Sequence, residues 1–139
     1  MKKIKGLICS ILMVFLFGCQ QSTQTIKVNL EVFTLDTCKG CQAFKKYAQP
    51  ALEKEFKDEM KITYYDLDKN EQYYKELTSK LIDFDEVYAG KTPLLVVNQK
   101  FAVLAYNQGE ETELIADIHR LLNNEALGEQ LSQGRWLFK

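Results

Sequence analysis

The sequence predicts an α/β fold with the element order β-α-β-α-β-β-α, on three observations. Short apolar or β-branched runs of strand length alternate with segments whose apolar residues recur at spacings of three and four. The last two of those runs flank a tight Asn98-Gln99-Lys100 connection, which predicts a hairpin. No repeat or low-complexity tract interrupts the pattern, apart from the polar stretch "QQSTQT" near the start.

The elements follow in order. "IKVNLEVFTL" (26–35) has the length and composition of a strand. From Cys41 onward the period becomes helical, and Phe44, Tyr47, Ala48, Ala51, Leu52 and Phe56 gather on one face. Pro50 falls inside this pattern and, lacking a backbone donor, is expected to kink or split the helix near Gln49. "KITYYDL" (61–67) reads as a second strand, and Tyr73, Tyr74, Leu77, Leu81 and Phe84 suggest a second helix. The loop "DEVYAGKTP" delivers the chain to "LLVVN", a continuous apolar run typical of a buried strand, and "FAVLAY" completes the hairpin. "ETELIADIHRLL" places Leu114, Ile115, Ile118, Leu121 and Leu122 on one face of a third helix. Residues 124–139 form a tail ending in Trp136, Leu137 and Phe138. Docking on the domain, contact with a membrane and binding of a partner all stay open for it.

The first eighteen residues read as a targeting signal. Lys2, Lys3 and Lys5 form a positive start and "GLICSILMVFLFG" an apolar run, shorter than the roughly 20 residues of a membrane span. The run ends in "LFGC", which resembles the lipobox of bacterial lipoproteins through Leu16, Gly18 and Cys19, although Phe17 is bulkier than usual there. That resemblance implies cleavage after residue 18 and a lipid anchor on Cys19, at the extracytoplasmic face of a bacterial cell membrane. The alternatives are an ordinary secretory signal or an uncleaved anchor. Diacylglycerol supplies two chains, enough for stable anchoring where one is marginal. Residues 19–25 then serve as a polar tether and 26–123 as the single domain. Removing residues 1–18 takes away three lysines and no acid, so the net charge moves from −1 to −4. The remaining lysines are scattered among acids without a basic stripe, which argues against nucleic-acid binding.

Of the four cysteines, Cys9 lies in the signal and Cys19 is taken by lipid, leaving Cys38 and Cys41 in "DTCKGCQAF". Outside the cytoplasm such a pair spends part of its life as a disulfide. With Thr37 or Asp36 as helix cap, Cys38 falls in the first turn, where free N–H groups favour an anion. Lys39 adds a positive charge next door and Asp36 opposes it. The first turn and Lys39 both lower a thiol pKa, and the thiolate is the nucleophile. Cys41 shares a helical face with Phe44 and Ala48, which turns it inward. A reactive dithiol, half of a metal site and a stapled turn are the competing readings. A zinc or copper site needs three or four good ligands, the pair supplies two, and the chain's one histidine, His119, lies far along it. No metal is therefore expected. A structural staple closing so short a loop stabilises little by chain entropy.

The element order, the C-x-x-C where the first strand meets its helix, and Pro93 opening the third strand together resemble the thioredoxin superfamily over residues 26–123. The resemblance implies the minimal version of that fold: a four-stranded mixed central sheet flanked by helices, its first two strands parallel and its last two antiparallel. It implies catalysis of disulfide exchange by Cys38 and Cys41, with their disulfide as the only redox group and no separate cofactor. Thr92 and Pro93 match the family's cis-proline loop, which faces the dithiol and binds an extended substrate segment. The implied partners are protein or peptide thiols and disulfides, and an integral-membrane electron carrier. Some similar proteins are bacteriocin-transport accessory proteins, so a binding or accessory lipoprotein without turnover is the second reading. The chain also departs from the family. Thr37 replaces the tryptophan before the first cysteine, and Val32 replaces the buried acid six residues before it, while Glu31 should point to the other side of the strand.

Overall fold

A computed structural model describes residues 25–127 and 134–139. The signal, Cys19 and the tether up to residue 24 lie outside them. β1 (Val28–Thr34) is the hub of the sheet, as its near-complete burial and β-branched content require. It pairs in parallel with β2 (Met60–Asp66), from Val28 opposite Met60 to Thr34 opposite Asp66. On its other side it runs antiparallel to β3 (Leu94–Val97), with Val32 opposite Leu95. β3 turns back into β4 (Phe101–Leu104) through Asn98 and Gln99, both with positive φ, a conformation asparagine tolerates well. The Asn98 side chain secures this turn to β1, accepting from the Asn29 N–H at 2.6 Å and donating to the Lys27 carbonyl at 3.0 Å.

The sheet has five strands rather than the expected four. Arg135–Leu137 forms β5, antiparallel to β4 with Trp136 opposite Ala102, and the order is β2-β1-β3-β4-β5. The tail thus docks on the domain. Its three residues are too few for an alternating pattern, and polar residues precede them, so pairing with β4 makes the strand rather than local preference. Gly134 permits the entry with φ 79°, and its carbonyl accepts from the Leu104 N–H at 2.8 Å.

Helices cover both faces. The first helical run comprises α1 (Lys39–Ala43), a wide π turn (Phe44–Ala48) and α2 (Gln49–Phe56). The α-helical run is divided at Gln49, as Pro50 led one to expect, with Pro50 in the first turn of α2 and a π turn before it. The interruption takes the form of a widened backbone, in which the Gln49 N–H donates to the Phe44 carbonyl five residues back. The π turn also resolves a phase problem. Phe44, Ala48, Leu52 and Phe56 are spaced by fours, and each such step overshoots an α turn by about 40°. A wider turn winds less per residue and returns the stripe to the sheet, so all four are buried. They pack with Val28, Leu30 and Val32 of β1 and with Leu114 and Ile118 of α4 (Glu111–Leu122). The opposite face holds Phe33, Leu94, Val96 and Ala102 under Tyr74 and Leu77 of α3 (Glu71–Thr78).

One buried charge cluster joins α4 to β5. Asp117, 1% exposed, pairs with Arg135, whose side chain is 3% exposed, and with Arg120 at 2.7 Å. Burial pushes the Asp117 carboxyl above the usual aspartate value, with Arg135 and Arg120 opposing that shift.

Candidate functional site

β1 delivers the chain to a turn at Asp36-Thr37, closed by the Cys38 N–H donating to the Leu35 carbonyl at 3.1 Å. Neither Asp36 nor Thr37 caps the helix. Cys38 is itself the cap, with extended backbone (φ −79°, ψ 109°), and its Sγ accepts from the Cys41 N–H at 3.0 Å. The turn uses both preceding residues to reverse direction, so the sulfur occupies the place where a serine or aspartate oxygen usually sits. Cys38 and Cys41 are joined in a disulfide with Cα atoms 5.2 Å apart. The two sulfur-bearing residues differ in access: Cys41 is 2% exposed and Cys38 is half-buried.

Thr92 and Pro93 come to this pair from far along the chain. The Thr92–Pro93 peptide bond is cis, and Pro93 is buried while Thr92 is half-buried. Gly40, between the two cysteines, lies directly against Pro93: a Cβ placed there would sit 3.1 Å from the Pro93 Cδ and 3.4 Å from the Tyr106 carbonyl. A larger residue at position 40 would have to displace the proline ring or the backbone after β4, so glycine permits the close approach. The loop is held on both sides. The Tyr74 hydroxyl donates to the Lys91 carbonyl at 3.0 Å, and the Ala105 N–H donates to the Pro93 carbonyl at 2.8 Å. Burial pushes the Tyr74 hydroxyl up to about 12, so it serves as a fixed donor at neutral pH.

Tyr106 completes the junction. Its ring meets Phe44 edge-on at 5.6 Å, and its hydroxyl donates to Glu111 at 2.5 Å. Burial and that carboxylate hold the Tyr106 hydroxyl well above its ordinary value, and the same bond lowers Glu111. Glu31 lies on the other face of the sheet, 5% exposed, and accepts from the Tyr73 hydroxyl at 2.5 Å. Tyr73 is raised strongly, first by burial and then by this bond. Val32 belongs to the core beneath the first helical run, so the position six residues before Cys38 carries no acid.

Among the described residues, no three of His, Cys, Asp and Glu are grouped to hold a metal ion. His119 pairs with Glu55 at 2.7 Å, joining α4 to α2. No described helix is long and apolar enough to cross a membrane. Sequence reasoning missed Tyr74 and Tyr106 as supports of the site, since both read as ordinary core aromatics. It also missed buried Asp117, whose signal was an acid three residues after Leu114 on an otherwise apolar helix face.

A scan against protein-family models gave no match, and neither did a search of curated proteins. Among solved structures, one described as "Structure of a malarial protein" aligns with a TM-score of 0.50 and 17% identity, covering 72% of this chain and 98% of that one. At that identity the likeness concerns the fold alone.

Proposed function

We propose that the chain is a thiol–disulfide oxidoreductase of thioredoxin type, tethered to the outer face of a bacterial cell membrane through Cys19. The observation that carries this reading is the unequal access of one bonded pair, half-buried Cys38 and buried Cys41, beside the Thr92–Pro93 loop. In the reducing direction the Cys38 thiolate attacks one sulfur of a substrate disulfide. A Cys38–substrate disulfide forms and the other substrate sulfur leaves as a thiolate. Cys41, deprotonated, then attacks Cys38 Sγ, closing the Cys38–Cys41 disulfide and releasing the second substrate thiolate. Two electrons have passed from the protein to the substrate. In the oxidising direction the same bonds form and break in reverse order. The Cys41 N–H bound to Cys38 Sγ and the N-terminal end of the helix favour negative charge on that sulfur. An integral-membrane electron carrier would restore the starting redox state after each cycle.

The test is turnover. Reduced protein should reduce a peptide disulfide catalytically when supplied with a regenerating thiol, and Cys38 should alkylate before Cys41. A chain that binds peptides but gives no turnover would be an accessory or binding lipoprotein instead.

The anchor has its own test. Labelled fatty acid should enter the wild-type protein in a bacterial host and be absent from Cys19→Ala, which should also keep residues 1–18. Equal labelling of both proteins would remove the tether from the proposal.

A further inference from the structure

A cavity of about 650 Å³ opens beside the Thr92–Pro93 loop, on the side away from β1. It lies within the roughly 300–1,000 Å³ of typical ligand sites. Thr92 and Ala105 line it, so it begins one residue from Pro93, the residue that touches Gly40. The docked tail builds its far wall, through Arg135 and Trp136. Two chemistries line the cavity. One wall is aromatic: Trp136 packs against Tyr88 at 5.3 Å and Phe84 at 5.0 Å, and Tyr88 is 37% exposed. The other wall carries Glu110 and Glu113.

Two cations, Lys91 and Arg135, line the cavity as well. Arg135 is buried against Asp117, and the Lys91 ammonium lies over the Tyr88 ring at 5.3 Å. Glu113 stands 3.6 Å from Arg135, and its side chain remains 47% exposed. With Arg135 set against Asp117, the exposed carboxylates of Glu110 and Glu113 outnumber the Lys91 ammonium by one, beside a partly exposed aromatic shelf.

We infer that this cavity selects the polypeptide segment next to the reacting cysteine, favouring an aromatic side chain with a lysine or arginine close by. The inference rests on the oxidoreductase reading for the presence of that cysteine. The aromatic side chain stacks on Tyr88 and Trp136, and the cation faces Glu113 and Glu110. Area and ring contact supply most of the affinity, and the carboxylates supply selection against acidic segments.

Trp136 is the chain's single tryptophan, so its fluorescence reports occupancy of this cavity without any thiol chemistry. The probe is the blocked pentapeptide Ala-Phe-Ser-Lys-Ala, which has no cysteine, titrated into the oxidised protein. A saturable change is expected. Glutamate in place of the peptide lysine should weaken binding about threefold, as for an exposed ion pair. Alanine in place of the phenylalanine should weaken it about fivefold, as for an aromatic contact. Glu113→Gln, at a half-exposed position, should keep the fold and lose most of the preference for lysine. No saturable change, or equal affinity for all three peptides, overturns the inference. Selective binding without disulfide turnover in the same preparation supports the cavity and overturns the oxidoreductase reading, so the two fail separately.

Discussion

On the proposed function, Cys41→Ser is expected to accumulate mixed disulfides through Cys38 and lose turnover, whereas Cys38→Ser should lose turnover and trap almost nothing. The asymmetry follows from access. A substrate disulfide can reach half-buried Cys38, and a buried sulfur three residues on can reach only Cys38. Removing the inner thiol leaves the first exchange intact and deletes the second, because a serine hydroxyl forms no disulfide. Serine at position 41 also buries a hydroxyl in an apolar site, at a cost of about 1–3 kcal/mol, so circular dichroism must show that the variant is folded. The readout is a gel shift that disappears with reductant. If Cys38→Ser traps more than Cys41→Ser, the roles of the two sulfurs are reversed.

Asp117→Asn should destabilise the protein by about 3 kcal/mol, the low end for a broken buried pair, because Arg135 loses its buried carboxylate and keeps the longer pairing with half-exposed Glu113. For a domain of this size, that lowers Tm by about 10–20 °C. The loss should appear first at the end of the chain, since Arg135 belongs to β5. Hydrogen exchange at the Leu104 N–H, which donates to Gly134, should accelerate before exchange in β1. Replacing both partners, as Asp117→Leu with Arg135→Met, should recover much of the stability, since an apolar pair of similar size carries no desolvation cost. If the single variant melts within about 1 °C of wild type, the pair contributes nothing to the docking of β5.

The helix faces were visible in the sequence because each repeats a period, and four of the five strands because each is an apolar or β-branched run long enough to read. Phe44, Ala48, Leu52 and Phe56 marked their helix even though the π turn bends the phase between them. Pro50 marked the interruption at Gln49, but not its form, because a missing donor can be accommodated by widening a helix as well as by breaking it. β5 could not be read, since three residues hold no period and their partner strand lies more than thirty residues earlier. At the candidate site, the C-x-x-C spacing drew attention to Cys38 and Cys41. The contact of Gly40 with Pro93 arises from the pairing of β1 with β3, which no local pattern encodes. Asp117 was hidden for a related reason: its partner Arg135 lies in the strand that the sequence did not disclose.

β1 enters at Val28, three residues after the first described residue, and leaves toward Cys38, so the N-terminal end of the described chain and the dithiol lie at opposite ends of one strand. Seven extended residues span about 20 Å, and a seven-residue tether from Cys19 reaches at most about 25 Å. With the anchor proposed above, an upright domain would carry its sulfurs some 20–45 Å above the lipid headgroups. A carrier that shuttles electrons across the bilayer must then present its own cysteines on a segment standing well clear of the membrane. Thiols flush with the headgroups would be served only if the domain lay on its side.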